Sequence, residues 1–199
     1  FNFAGLPLCS VNNKGEIIDI NNCFENTFGY NIADIPTINE WWQLAYPDLD
    51  YRKSVIDTWE TDVQQAMEQK TNVAAKEYRV TCKNGEVRTV VISGTIINNE
   101  ILVTFFDITD RKIAEDGLRS SQLIIEGIVN AIPVRVFWKD KNLNFLGCNL
   151  AFAKDAGFSD PKEIIGKNDY QLNWQQQAEL YRQDDQKVIK SGNALLNIE

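Results

Sequence analysis

Residues 77–93 read Glu-Tyr-Arg-Val-Thr-Cys-Lys-Asn-Gly-Glu-Val-Arg-Thr-Val-Val-Ile-Ser. Side chains alternate across a strand, so Tyr78, Val80 and Cys82 fall on one face and Glu77, Arg79 and Thr81 on the other. Asn84-Gly85 is the dipeptide a tight hairpin prefers, because both central residues of such a turn take positive φ. A second turn signal, Asn98-Asn99, separates Val87 to Ile97 from Ile101 to Ile108. The stretch therefore predicts a three-stranded antiparallel meander.

N-terminal to it, Leu8 to Val11 and Glu16 to Ile20 flank the turn cluster Asn12, Asn13, Lys14 and Gly15, which predicts another hairpin. From Cys23 to about Lys70 the period becomes helical: Phe24, Phe28 and Ile32 recur every four residues, as do Val55, Trp59, Val63 and Met67. Pro36 and Pro47 divide this region into short helices and one longer one. Two strands, several helices and three strands predict an α+β domain with helices on one face of an antiparallel sheet.

Composition narrows the chemistry. The 199 residues carry 28 acidic and 20 basic side chains, a net charge of −8, with no Lys/Arg cluster able to follow a phosphate backbone, so nucleic acid is not an expected partner. No apolar run approaches the roughly 18 residues that a bilayer requires, and no signal peptide is evident. Cys9, Cys23, Cys82 and Cys148 are scattered, which predicts neither a zinc site nor a disulfide framework and fits a reducing cytoplasm. Histidine is absent, which removes general-base triads and His-ligated haem. The acidic pairs Asp48/Asp50 and Asp184/Asp185 lack histidine or a phosphate loop around them and read as solvated helix ends.

After the meander, Asp107-Ile108-Thr109-Asp110-Arg111-Lys112 marks a strand-to-helix junction, with Asp107 or Thr109 placed to accept N–H groups of the new helix and Arg111 placed to pair with Asp107. Ala114, Leu118, Ser121, Ile125, Ile128 and Ile132 follow at heptad spacing up to Pro133, which suits parallel pairing of two copies, or packing on the chain's own domain. The chain also repeats itself. A displacement of 128 residues, Asn21 to Asn149, superimposes Leu8 on Val136, Asn12 on Asp140, Ile17 on Phe145, Phe24 on Phe152, Gly29 on Gly157 and Tyr30 on Phe158 without a gap. The second copy runs on through Trp174 and a helical segment containing Ala178, Tyr181, Val188 and Ile189, and Leu195 to Glu199 fall where a third strand would begin.

The first copy resembles the PAS (sensory box) family in Asp19 to Tyr30, Ala45-Tyr46-Pro47-Asp48, Glu77-Tyr78-Arg79, Lys83-Asn84-Gly85-Glu86 and, most specifically, Asp107 to Lys112. The second resembles another PAS subtype through Phe137-Trp138-Lys139-Asp140, Gly147-Cys148-Asn149, Ile165 to Tyr170 and Tyr181 to Asp185. The resemblance implies a complete PAS domain with a five-stranded antiparallel sheet over 1–108, a helical connector over 109–132, and the N-terminal part of a second PAS domain over 133–199. It further implies the cytoplasmic sensory input of a histidine kinase or a GGDEF diguanylate cyclase, with no catalysis in this segment. A small-molecule ligand, a homodimer through the connector and an output domain of the same chain are the implied partners.

By the same resemblance, Trp41, Trp42, Tyr46 and Arg52 lie where family members flank their ligand pocket, and Tyr78 lies on a neighbouring strand. Trp138, Asn149, Asp169, Tyr170 and Trp174 are the counterparts in the second copy, and Asp107, Thr109 and Arg111 would relay the signal. Each also has a plainer reading, the tryptophans as core and Arg52 as a partner of Asp48 or Asp50. Flavin photosensors of the family carry a reactive Cys in Gly-x-Asn-Cys-Arg-Phe-Leu-Gln; here Gly166-Lys167-Asn168 is followed by Asp169, and no Cys lies between Cys23 and Cys82. A cysteinyl-flavin adduct is thus not expected, and the cofactor is open.

Overall fold

The computed structural model describes residues 5–98 and 100–196. The chain forms two compact units, one ending at Asp116 and the other beginning at Gly117.

The first unit contains β1 (Leu8–Val11), β2 (Ile17–Ile20), α1 (Asn22–Phe28), α2 (Ile38–Ala45), α3 (Leu49–Gln69), β3 (Val73–Thr81), β4 (Val87–Ile97) and β5 (Glu100–Asp107). Its sheet is antiparallel throughout, in the order β2-β1-β5-β4-β3. Turn chemistry sets this register. The Asn12 carboxamide oxygen accepts the N–H groups of Lys14 and Glu16 at 2.9 and 3.0 Å, and Asn84 does the same for Glu86 at 3.0 Å. Gly85 supplies a φ of 86°, and Asn98 a φ of 48° in the second turn, whose other residue, Asn99, lies outside the described residues. The hairpin then enters the sheet through β1, with Cys9 opposite Val103 of β5.

Each helix starts on a polar side chain: Asn21, Thr37 and Asp48 accept the N–H groups of Phe24, Asn39 and Tyr51. Two sequence-based expectations shift. Ile32 is not on the α1 stripe, because Gly29 adopts a left-handed conformation and stops the helix, leaving Ile32 exposed. On α3 the buried stripe is Val55, Trp59, Asp62 and Ala66, while Met67 is exposed. A strict repeat of four overshoots the 3.6-residue turn by about 40° per step, so it leaves the core face after a few turns. The core lies between these helices and the inward sheet face of Tyr78, Val80, Val90, Ile92, Val103 and Phe105. Along the outer edge of β3, the Tyr51 hydroxyl accepts the Arg79 N–H at 2.8 Å and the Tyr30 hydroxyl donates to the Thr81 carbonyl at 3.1 Å.

Helix α4 (Thr109–Ala131) follows, and none of its residues is buried. Leu118 and Ile125 of the heptad stripe are 63% and 57% exposed.

The second unit contains β6 (Phe137–Lys139), β7 (Phe145–Cys148), α5 (Leu150–Asp155), three single 3-10 turns and α6 (Ala178–Ser191). Several of its hydrogen bonds repeat those of the first unit at equivalent positions. Asn21 accepts from Leu8 and Phe24 and donates to the Leu6 carbonyl; Asn149 accepts from Val136 and Phe152 and donates to the Val134 carbonyl. Asp140 accepts from Asn142 and Asn144 as Asn12 does from Lys14 and Glu16. Gly157 takes a φ of 91°, and Leu143 takes a φ of 65° where Gly15 has 78°. The small core is Phe145, Cys148, Phe152, Ala153, Ala156, Ile164 and Leu172, with Trp174 edge-on to Phe152. Among the described residues β6 pairs only with β7.

Asp48 caps α3 as a helix-end carboxylate should, but Asp185 departs from that reading. It lies inside α6 and meets the buried Lys139 ammonium at 2.6 Å, which also holds both oxygens of the 2%-exposed Asp169. The ammonium stands 4.5 Å above the Phe145 ring. A spacing pattern along α6 carries no sign of a cation arriving from β6.

Among the described residues, no helix is long and apolar enough to cross a membrane.

Candidate functional site

In the first unit the inward sheet face and helices α1 to α3 enclose a cavity of about 30 Å³. Four of the five ligand candidates read from the sequence line it: Trp41 and Trp42 from α2, Tyr46 from the α2–α3 junction, and Tyr78 from β3. They converge because α2 packs its Trp41 face against Phe24, Phe28 and Phe105, with ring centroids 5.4 to 5.7 Å apart. Trp59 and Val55 on α3, and Ile92, Val103 and Phe105 on the central strands, also line it. Trp59 was legible in sequence as part of the α3 stripe, though not as a wall of a cavity.

Arg52 does not line the cavity, and it pairs with neither Asp48 nor Asp50. Its guanidinium donates to the carbonyls of Tyr46 at 2.7 Å and Pro47 at 3.1 Å, and lies 3.5 Å from that of Gln43. A fixed fork of five donors suits the unpaired carbonyls at the end of α2 better than a solvated carboxylate does. Arg52 therefore locks the α2–α3 corner that carries Tyr46.

The polar groups of the cavity are few. Burial pushes the Tyr46 phenol above its usual range, with the Tyr51 and Tyr78 hydroxyls adding to the effect. Tyr78 is pushed up to about 12, first by burial and then by the neighbouring Asp62 carboxylate and Tyr51. Asp62 is itself buried on α3 and held by Lys76 of β3, whose ammonium lies 2.8 Å from one carboxylate oxygen and 2.6 Å from the other. Both phenols therefore remain protonated donors throughout the neutral range. Burial likewise pushes the Cys9 thiol up to about 12, so it stays a thiol, inert as a nucleophile. As packed, the cavity is small, about 30 Å³, and its wall is almost wholly hydrocarbon and aromatic.

The second constellation is the strand-to-helix junction. Asp107 does not pair with Arg111. Its carboxylate takes Arg88 of β4 at 2.7 Å and accepts the Thr109 N–H at 2.9 Å and the Thr109 hydroxyl at 2.5 Å. Thr109 in turn accepts the Thr89 N–H at 3.0 Å. Arg111 points along the helix to Glu115, an exposed pair, and Lys112 reaches Glu77 of β3 at 2.8 Å. Asp107 thus joins the end of β5, the second residue of β4 and the first of α4 in one clasp. Partial burial raises its pKa, yet the bonds from Thr109 and Arg88 outweigh that and hold it below the ordinary value of 3.8.

In the second unit Asn149 caps α5, and Asp169 lies in the Lys139 cluster. Trp138 is exposed over Gly147, Tyr170 donates its hydroxyl to Glu179, and Trp174 packs on Phe152.

Residues 6–110, from the lead into β1 through the junction, match the family described as PAS domain. The chain belongs to the PAS domain family. The first unit is accordingly a PAS domain, a sensory and non-catalytic module of signal transduction. Similar solved structures include a LOV protein of Rhodobacter sphaeroides, at 16% identity and a TM-score of 0.43 over 54% of this chain. The match spans 63% of that protein's length. Others are a sensory box histidine kinase/response regulator of Burkholderia thailandensis E264 (25% identity, TM-score 0.45, 61% of this chain, 91% of that one) and the N-terminal domain of a diguanylate cyclase with PAS/PAC sensor from Marinobacter aquaeolei (12%, 0.44, 53% and 97%). No curated protein matches the chain.

Proposed function

We propose that this chain is the sensing segment of a cytoplasmic signalling protein. A small molecule bound between sheet and helices of the PAS domain repositions β4 and β5, and the Arg88–Asp107–Thr109 clasp carries that movement into α4. The carrying observation is that the carboxylate of the last residue of β5 bonds both to Arg88 near the start of β4 and to the first residue of the helix. Such a joint transmits small strand shifts because packed elements move between discrete arrangements rather than deform continuously.

On this reading the complete PAS domain ends near residue 108, 109–132 is the connector, and 133–199 is the start of a second PAS copy. The repeated Asn21/Asn149 and Asn12/Asp140 bonding supports the last assignment. The exposed Leu118, Ile125 and Ile128 support pairing of α4 with a second copy of the chain. The family resemblance assigns the output to a histidine kinase, with a diguanylate cyclase as the alternative. Four free thiols fit a reducing compartment.

Replacing Asp107 by Ala in the full-length protein is expected to abolish signal-dependent change in output while circular dichroism stays native. Unchanged regulation would overturn the relay. A second reading, a docking module without a small ligand, is favoured by the small size of the cavity. Native mass spectrometry of the purified protein separates the two, since a retained small molecule belongs only to the first.

A further inference from the structure

Helix α4 is 23 residues long and buries no side chain of its own. Most helical stability in proteins comes from packing, so in such a helix the fastening of the two ends decides how far it stays ordered. At its start the fastening is the clasp of Asp107 and Thr109 to β4. At its end there is a second one. The Val129 carbonyl would accept the N–H four residues on, but Pro133 has none to give. The Asn149 carboxamide takes that place, donating to the Val129 carbonyl at 3.2 Å and to the Val134 carbonyl at 2.7 Å.

The adjacent residues bond in the opposite direction. Leu150 opens α5, so its N–H has no carbonyl within that helix to reach. It donates instead to the side-chain oxygen of Asn130 at 2.8 Å. Val129 and Asn130 on α4 are thus tied to Asn149 and Leu150 by one bond each way, and all four residues lie in the second unit. The two asparagines differ in what else they serve. Asn149 is wholly buried and also accepts the Val136 and Phe152 N–H groups, so it holds β6 and α5 in place. Asn130 is exposed, and its replacement disturbs no core.

We propose that Asn130 is the positioning residue through which the state of α4 reaches the second unit. When the last turn of α4 is ordered, Asn130 completes the first turn of α5; when α4 frays, α5 loses that bond. Helix order is cooperative, and no core holds α4 between its ends, so loosening the helix at Thr109 lowers the order of the turn that carries Asn130. The inference rests on the relay reading of the Asp107 clasp and assigns the far end of the same relay.

In the test, release of the clasp by Asp107→Ala stands in for the signal. The readout is amide hydrogen exchange of Leu150 to Asp155 in the full chain. In the otherwise unmutated protein, Asp107→Ala is expected to speed that exchange about two- to tenfold, the range that one hydrogen bond can carry. In an Asn130→Ala background the same change should act less than about 1.5-fold, because the bond it releases is already gone. Alanine is a better helix former than asparagine, so Asn130→Ala leaves α4 folded. Asn130→Asp keeps an accepting oxygen at that position and should restore the response. An equal response with and without Asn130, or a failure of Asn130→Asp to restore it, overturns the role of Asn130 and leaves the relay reading standing. No response in the unmutated protein overturns both.

Discussion

At Tyr78 the hydroxyl is withheld from water without receiving a bond in return. An unsatisfied buried donor costs about 1–3 kcal/mol, so Tyr78→Phe is expected to stabilise the ligand-free PAS domain by about 1 kcal/mol in urea titration. A loss of stability would show that the hydroxyl has a partner in solution. Asp107 behaves oppositely. Its folded pKa lies below 3.8, so its contribution is complete above that value and is lost as pH falls through the depressed folded value. Between about pH 4 and pH 2 the unmutated domain should lose more stability than Asp107→Asn, as followed by acid titration at fixed denaturant. Arg111, the partner suggested by sequence proximity, is not involved. Val90 stands opposite Asp107 across the β4–β5 ladder, so Arg88, two residues along the same face, is its diagonal neighbour. That adjacency comes from strand pairing, which a one-dimensional reading of charges does not reveal. The partners of Arg52 and Asp62 were equally illegible: backbone carbonyls, and a lysine that reaches helix α3 from strand β3, leave no periodic trace.

At the scale of elements, short polar side chains at the helix starts and turns account for most of what was readable. The period-two stretch around Tyr78 and the Asn84-Gly85 turn correctly anticipated β3, β4 and their hairpin, and the five-stranded sheet followed from adding β1 and β2. Helix ends were less readable, because Gly29 stops α1 where the apolar spacing continues. Asn149 carries the second unit's hairpin and α5 on one side chain, accepting two N–H groups and donating to the Val129 and Val134 carbonyls. Asn149→Ala should cost about 2–4 kcal/mol, the sum of a lost cap and an orphaned buried N–H. Hydrogen exchange should show faster opening of β6, β7 and α5, with β3 to β5 unaffected; uniform change across both units would refute the separate role of this residue.

For the whole molecule, the described residues form one large core, one small core of seven buried residues, and a long helix with no buried side chain of its own. Such an apolar stripe is stable when a second helix covers it. Sedimentation should give a dimer for the unmutated chain and a monomer for Ile125→Asp; a monomer in both cases would remove pairing through α4. The cavity could not be read from sequence, since its size depends on how fourteen lining side chains fill a volume, and composition fixes only their chemistry.

The tyrosine hydroxyls along β3 have a consequence beyond the fold of one domain. With Tyr51 holding the Arg79 N–H and Tyr30 holding the Thr81 carbonyl, the terminal strand offers an incoming chain no continuous ladder of free donors and acceptors. At the other end of the sheet the Ile17 N–H is already taken by the Pro36 carbonyl. The two edge strands therefore meet an incoming chain with interrupted ladders, which works against the edge-to-edge growth that ends in fibrils.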